Sequence, residues 1–253
     1  MTATAGAAPI AAADAPLKDR VALVTGASRG IGAALALELA RLGAHCVLVA
    51  RTQGGLEEVD DAIRAATGRG ATLLPLDLQK DADKQLDLIG PSIFERFGRL
   101  DILVHNAGVL NKLTPVAHIE PRDWAETVAV NLSAAWRLIR SCDPPLRASD
   151  AGRAVFLTTG RVRRPRAYWG MYGATKAGME HLVLTWAQEV EKTALRVNLA
   201  DPGVVATKMR MLAMPGEDQD RLPQPGDVAP GLAALCLPSE TRHGARVEIA
   251  PGA

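Results

Sequence analysis

Arg20-Val21-Ala22-Leu23-Val24-Thr25-Gly26-Ala27-Ser28-Arg29-Gly30-Ile31-Gly32, with the apolar segment that continues to Leu42, decides the fold. Residues 21–24 are a short β-branched and aliphatic run, as a central parallel strand covered on both faces requires. From Ile31 onward the apolar residues Ile31, Leu35, Leu39 and Leu42 recur at helical spacing. The glycines between strand and helix let the backbone turn sharply and approach a ligand closely. The helix then offers free N–H groups and its positive dipole end to an anion, such as a cofactor pyrophosphate. Standing alone, the same residues would fit an ordinary strand-to-helix turn.

The rest of the chain extends this pattern. Residues 45–50 form a second apolar run, 71–76 a third that ends at Asp77, 100–104 a fourth, 154–157 a fifth, 195–199 a sixth and 246–249 a last one. Between them, helices are predicted over 54–66, 83–97, from Pro121 through Asn131 to Leu138, over 168–192, and over 227–236. Strands alternating with helices along the chain predict a single-domain, doubly wound parallel sheet of about seven strands with helices on both faces, an α/β Rossmann-like fold. Residues 17–253 would form this domain, and the Ala-rich residues 1–16, with Pro9 and Pro16, read as a disordered tail.

Composition excludes several classes of function. With 253 residues and an apolar share of 48%, one core is well supplied; a net charge of +1 gives no reason to expect nucleic acid or a membrane surface as partner. Cys46, Cys142 and Cys236 are scattered and odd in number, so neither a disulfide framework nor a metal-ligand set is expected. No apolar run approaches the length of a bilayer span, and no Lys or Arg precedes Lys18 as a secretory leader would require. A cytoplasmic protein is expected.

Four motifs at the strand ends then become specific. Thr25-Gly26-Ala27-Ser28-Arg29-Gly30-Ile31-Gly32, Asn106-Ala107-Gly108, Tyr172-Gly173-Ala174-Thr175-Lys176 and Pro202-Gly203-Val204-Val205-Ala206-Thr207 follow one another in this order. Together they resemble the short-chain dehydrogenase/reductase family, whose Thr-Gly-x-x-x-Gly-x-Gly turn, Asn-Asn-Ala-Gly stretch, Tyr-x-x-x-Lys pair and post-strand Pro-Gly segment they match from Leu17 to the C-terminus. His105 stands where the family has its first Asn. The resemblance implies cofactor contacts from Gly26, Ser28, Arg29, Gly30, Ile31, Gly32, Asp77, Leu78, Asn106, Ala107, Gly108, Tyr172, Lys176, Pro202, Gly203, Val205 and Thr207. It also implies a homo-dimer or homo-tetramer and a substrate lid, here about 207–225 and lined by Met209, Met211 and Met214. Thioethers adapt to apolar substrates, although the methionines could equally fill core.

The residues themselves argue the chemistry. Tyr172 and Lys176 lie four apart, so a helix puts them on one face, as it would any surface pair. A phenol with a pKa of about 10 is a poor proton carrier at neutral pH, and a nearby ammonium would pull it toward the working range. Tyr172 would then protonate a carbonyl oxygen as hydride arrives, or take the alcohol proton in reverse. The family serine is replaced by Thr159, thirteen residues before the tyrosine, which keeps the hydroxyl and adds a methyl. Asn131 matches the family asparagine that holds a water beside the lysine; a satisfied helix polar residue is the plain alternative.

Cofactor choice rests on the end of the second strand. An enzyme using NAD usually has an acidic residue there. This chain has Ala50 followed by Arg51, with Arg29 in the glycine turn, so NADP(H) is expected over NAD(H) unless both arginines are only solvated charges. Arg161, Arg163, Arg164 and Arg166 crowd the loop before Tyr172 and read either as an anion-binding rim or as a solvated or subunit-contact loop. The expected function is an NADP(H)-dependent oxidoreductase interconverting a ketone or aldehyde and an alcohol. Alternatives are a 3-oxoacyl-thioester reductase and a cofactor-binding scaffold or redox sensor with little turnover.

Overall fold

The computed structural model of the protein describes residues 15–80 and 85–252. Apart from residues 15 and 16, the predicted tail lies outside them. Seven parallel strands form one sheet in the order β3-β2-β1-β4-β5-β6-β7. These are β1 (Val21–Thr25), β2 (His45–Ala50), β3 (Thr72–Pro75), β4 (Ile102–His105), β5 (Arg153–Leu157), β6 (Arg196–Asp201) and β7 (Arg246–Glu248). Helices α1 (Gly30–Arg41), α2 (Gln53–Thr67), α3 (Asp87–Phe97), α4 (Pro121–Val128), α5 (Ala134–Ala148), α6 (Gly170–Glu189), α7 (Lys208–Ala213) and α8 (Pro225–Ala234) connect them.

Alternation along each strand sorts the core into two layers. Ala22 and Val24 of β1 pack with Leu35 and Leu39 of α1, Leu56 of α2 and Leu232 of α8. Val21 and Leu23 face the other way, toward Leu138 of α5 and Met179 and Val183 of α6. These side chains are buried, and each of the larger ones (Val, Leu and Met) contributes about 1.5–3 kcal/mol. At the foot of the sheet, buried Asp101 accepts from the Val21 N–H at 2.9 Å, Ser149 Oγ at 2.6 Å and Arg99 at 2.7 Å, tying β4 to β1. Because β1 has β2 on one side and β4 on the other, chain crossovers diverge there and leave a crevice above the strand ends.

Three predicted elements differ. The helix expected from residue 168 starts at Gly170, because Tyr168 takes φ 75°, a left-handed conformation no helix accommodates. The helix through Asn131 is interrupted by a π turn over Ala129–Ser133 between α4 and α5. The segment from Lys208, within the lid expected at about 207–225 and assigned no element, contains α7, capped by the Thr207 hydroxyl at 3.1 Å from the Arg210 N–H. Arg210 clamps Glu217 with bonds of 2.5 and 2.6 Å. None of its three methionines is buried, so they do not fill core.

Candidate active site

The glycine turn is built for close approach. Gly26 takes φ 65°, and a Cβ there would lie 2.8 Å from Asn106 Nδ2. At Gly32 a Cβ would stand 2.3 Å from the Gly26 carbonyl oxygen, so no larger residue fits without moving the turn. Asn106 Nδ2 donates to the carbonyls of Thr25 and Gly26, both at 3.1 Å, locking the Asn106-Ala107-Gly108 stretch onto the turn. No side chain caps the start of α1 and no acid sits in its first turn, so its N–H groups stay open to an anion. Arg29 and Arg51 are both exposed and leave the adjacent ends of β1 and β2. Ser28 packs against the start of α2, where a Cβ on Gly55 would meet it at 3.0 Å. Asp77 Oδ1 accepts from the Gln79 N–H at 2.9 Å just beyond β3, beside buried Leu78.

His105 belongs to the same clasp. Thr25 Oγ1 accepts from the Ala107 N–H at 3.2 Å and lies 3.0 Å from His105 Nδ1. The threonine hydroxyl thus bridges the Ala107 main chain and the imidazole. Nε2 is buried without a hydrogen-bond partner among the described residues. Burial, helped by the charge of Lys176, pushes this histidine down to about 3, so it stays neutral.

Beyond β5 and β6 the crevice opens into a cleft of about 300 Å³. Thr159, Tyr172, Leu110, Trp169, Asp201 and Met209 line it, together with Ile31, Pro202, Gly203, Val205 and Thr207. A second depression of about 250 Å³ lies between α5 and α6, away from the strand ends and from every candidate residue. Thr159 Oγ1 accepts from the Arg161 N–H at 3.3 Å, so its own proton remains available to a ligand in the cleft. Lys176 is buried behind Tyr172, its Nζ donating to the Leu157 carbonyl at 2.8 Å. Asn131 bonds both main-chain groups of Val109, accepting at 2.8 Å and donating at 2.9 Å, and donates to Thr175 Oγ1 at 3.2 Å. A Cβ on Gly108 would meet Asn131 Oδ1 at 3.4 Å and Lys176 Nζ at 3.8 Å, so bare backbone separates the two side chains. The π turn at Asn131 shifts main-chain pairing by one residue, a distortion common at functional sites.

The electrostatics depart from the expectation that Lys176 lowers the phenol. Burial and the Asp201 charge push Tyr172 up to about 12. Burial pushes Lys176 down to about 8, against the opposing charge of Glu180. Both shifts run against an ammonium–phenolate pair: burial favours the neutral phenol and the neutral amine alike.

Sequence reasoning did not anticipate Leu110, Trp169 or Asp201 as cleft residues. Asp201 was readable as the residue before Pro202; Trp169 lies inside the stretch assigned to the helix. Behind the cleft Arg246 donates to Glu180 at 3.1 Å and to Asp201 at 2.9 Å, while Thr158 donates to Glu180.

Comparison with known proteins agrees with this geometry. A model of the short chain dehydrogenase family matches residues 20–218. An uncharacterized oxidoreductase of Escherichia coli K12, YciK, is 37% identical over 214 residues, 85% of this chain and 84% of that protein. The 3-oxoacyl-[acyl-carrier-protein] reductase FabG of Pseudomonas aeruginosa is 34% identical over 193 residues, 76% of each. A short-chain dehydrogenase structure from Escherichia coli CFT073, complexed with NADPH, superposes with a TM-score of 0.88 at 35% identity, covering 94% of this chain and 99% of that one. The chain belongs to the short-chain dehydrogenase family and is an NAD(P)-dependent oxidoreductase.

Proposed function

We propose that this oxidoreductase interconverts a ketone or aldehyde and the corresponding alcohol with NADP(H), in the cleft above β4, β5 and β6. The observation that carries the reading is that Thr159 and Tyr172 line one cleft, with Lys176 and Asn131 buried directly behind it. The glycine cradle and the open start of α1 fit a dinucleotide pyrophosphate. Arg29 and Arg51 fit a 2′-phosphate, and none of the described ion pairs occupies either. A dinucleotide bound there supplies the hydride that attacks the carbonyl carbon. Asp77 and Leu78 would flank the adenine, Asn106, Ala107 and Gly108 the chain between adenine and nicotinamide, and Pro202, Gly203, Val205 and Thr207 the nicotinamide end.

In reduction Tyr172 gives its phenolic proton to the carbonyl oxygen, whose π pair becomes the new O–H bond; oxidation returns that proton. Thr159 donates its hydroxyl proton to the same oxygen as a hydrogen bond and holds it against Tyr172. Lys176 binds ribose and supplies positive charge behind the phenol, and Asn131 keeps the loop at Val109 and the lysine in register. Trp124 and Trp136 on α4 and α5 are 45% and 46% exposed, which favours a homo-dimer or homo-tetramer. The three buried free thiols fit a cytoplasmic protein. No helix among the described residues is long and apolar enough to cross a membrane.

The test is NADPH and NADH oxidation against a panel of ketones, aldehydes and acetoacetyl thioesters. Expected is turnover with NADPH that falls by about a hundredfold or more in Tyr172→Phe. Arg51→Ala is expected to weaken NADPH about 10–100-fold and leave NADH unchanged. Preference for NADH in the parent protein overturns the cofactor assignment. Thioesters as the best substrates would support the acyl-thioester reading, which the Pseudomonas aeruginosa relative favours. Tight NADPH binding with no turnover on any carbonyl would support a cofactor-binding module.

A further inference from the structure

Three arginines line the cleft that holds Tyr172, and two of them have no ion pair among the described residues. The Arg161 guanidinium stands 5.3 Å from the ring centroid of Trp169, which packs edge-on against Tyr172 at 6.0 Å. Trp169 is buried, so the stack holds the guanidinium against the wall of the cleft that Tyr172 also lines. The loop fixes the backbone on both sides: the Arg161 N–H donates to Thr159 Oγ1 at 3.3 Å and the Arg164 N–H to the Gly160 carbonyl at 3.0 Å. Arg161 and Arg164 both line the cleft, and among the described residues neither has an ion pair. The third lining cation, Arg210, is committed to Glu217. Asp201, the carboxylate of the lining, is committed to Arg246 at 2.9 Å and to the Gly203 N–H at 3.0 Å. Arg163 and Arg166 are exposed and do not line the cleft.

We infer that Arg161, with Arg164 at the rim, binds an oxyanion carried by the substrate, so that the substrate class is small carbonyl compounds bearing a carboxylate or a phosphate. A guanidinium fork matches either group, and a stacked one loses little freedom on binding. The cleft of about 300 Å³ also has to admit the nicotinamide, so the part of the substrate beside Tyr172 is small. The inference rests on the carbonyl-reductase reading, and two measurements separate their failures.

The first compares kcat/KM for matched pairs: an oxo acid and its methyl ester, and a phosphorylated hydroxyketone and its unphosphorylated parent. The carboxylate and phosphate pairs distinguish the two oxyanion sources. Expected is a preference of about 10–100-fold for the anionic member of at least one pair, expressed in KM. Arg161→Met, which keeps an apolar stem against Trp169, is expected to reduce that preference to within about threefold of unity. Arg163→Ala and Arg166→Ala, two surface controls, are expected to leave it unchanged. Equal rates for both members of both pairs, or a preference that survives Arg161→Met, overturn the inference. The second measurement is calorimetric titration of malonate and of inorganic phosphate into the NADP⁺-loaded protein. Binding of either that is lost in Arg161→Met supports the site even where no carbonyl is reduced, a result that would remove only the reductase reading. No binding of either overturns the site.

Discussion

The order in which Tyr172 and Lys176 titrate can be measured directly, because the chain has two tyrosines. Tyr168→Phe replaces an exposed ring and leaves Tyr172 as the one phenol. With Tyr172 near 12, about a tenth of it is ionised at pH 11, against about nine-tenths for an unperturbed phenol of pKa about 10. The gap of two units corresponds to about 2.7 kcal/mol. Since the folded pKa lies above the unfolded one, this stabilisation is complete below pH 10 and is lost as pH rises through 12. About 1.4 kcal/mol has gone by pH 11. The assay is therefore the phenolate difference absorbance between pH 7 and pH 11, with circular dichroism at both to show that the fold persists. Lys176, lowered to about 8, is neutral at pH 11, so Lys176→Met is expected to leave the ionised fraction unchanged in the unloaded protein. Saturating NADP⁺ is expected to raise that fraction by bringing positive charge to the cleft. A folded, unloaded protein that is nine-tenths ionised at pH 11, or whose ionised fraction falls on Lys176→Met, would refute this ordering of the two groups.

His105→Asn is expected to flatten acid denaturation: a histidine held at about 3 gives stability present above pH 6.5 and lost as pH falls toward 3, about 3–5 kcal/mol in urea titrations across that window. Gly32→Ala puts a Cβ 2.3 Å from a backbone oxygen and is expected to cost at least about 1–3 kcal/mol by thermal denaturation, with loss of NADPH binding by fluorescence. Thr159→Ser is expected to retain turnover, whereas Thr159→Val loses about 10–100-fold in kcat; the reverse order would remove Thr159 from the mechanism. Arg246→Met leaves Glu180 and Asp201 buried without their cation and is expected to cost about 3–5 kcal/mol in urea unfolding, with Arg246→Lys recovering part of it.

The sheet was legible because most of its strands are short apolar runs, and the observed β2 coincides with the run at 45–50. The motif residues were legible too, since each stands at a strand end or on the first turns of α6. What local pattern could not show depends on distant partners. The π turn goes with Asn131, which bonds both main-chain groups of Val109, 22 residues away in sequence. The left-handed backbone of Tyr168 sits just before α6, and no periodicity carries that information. The titration order was hidden because spacing alone makes a lysine beside a tyrosine look like a charge. Here β5 supplies the Leu157 carbonyl that holds Nζ, and the sheet supplies the burial that lowers it.

These particulars order the charges of the cleft from the core outward. Glu180, Arg246 and Asp201 form an ion-paired chain behind the strand ends; Tyr172 lies next, and Arg161 and Arg164 stand outside it. The phenol therefore sits between a carboxylate that keeps it protonated and guanidiniums that draw a substrate oxyanion to its other side. In the proposed reaction, reduction needs the protonated phenol, which is essentially the whole population at neutral pH. Oxidation needs the phenolate, about one part in 10⁵ at pH 7 for a pKa near 12. Lowering that barrier takes positive charge near the phenol, from Lys176 behind it and from the oxidised cofactor, against burial and the opposing charge of Asp201. In the proposed reaction a donor that already holds its proton requires that the substrate oxygen be oriented against it, the part given to the Thr159 hydroxyl.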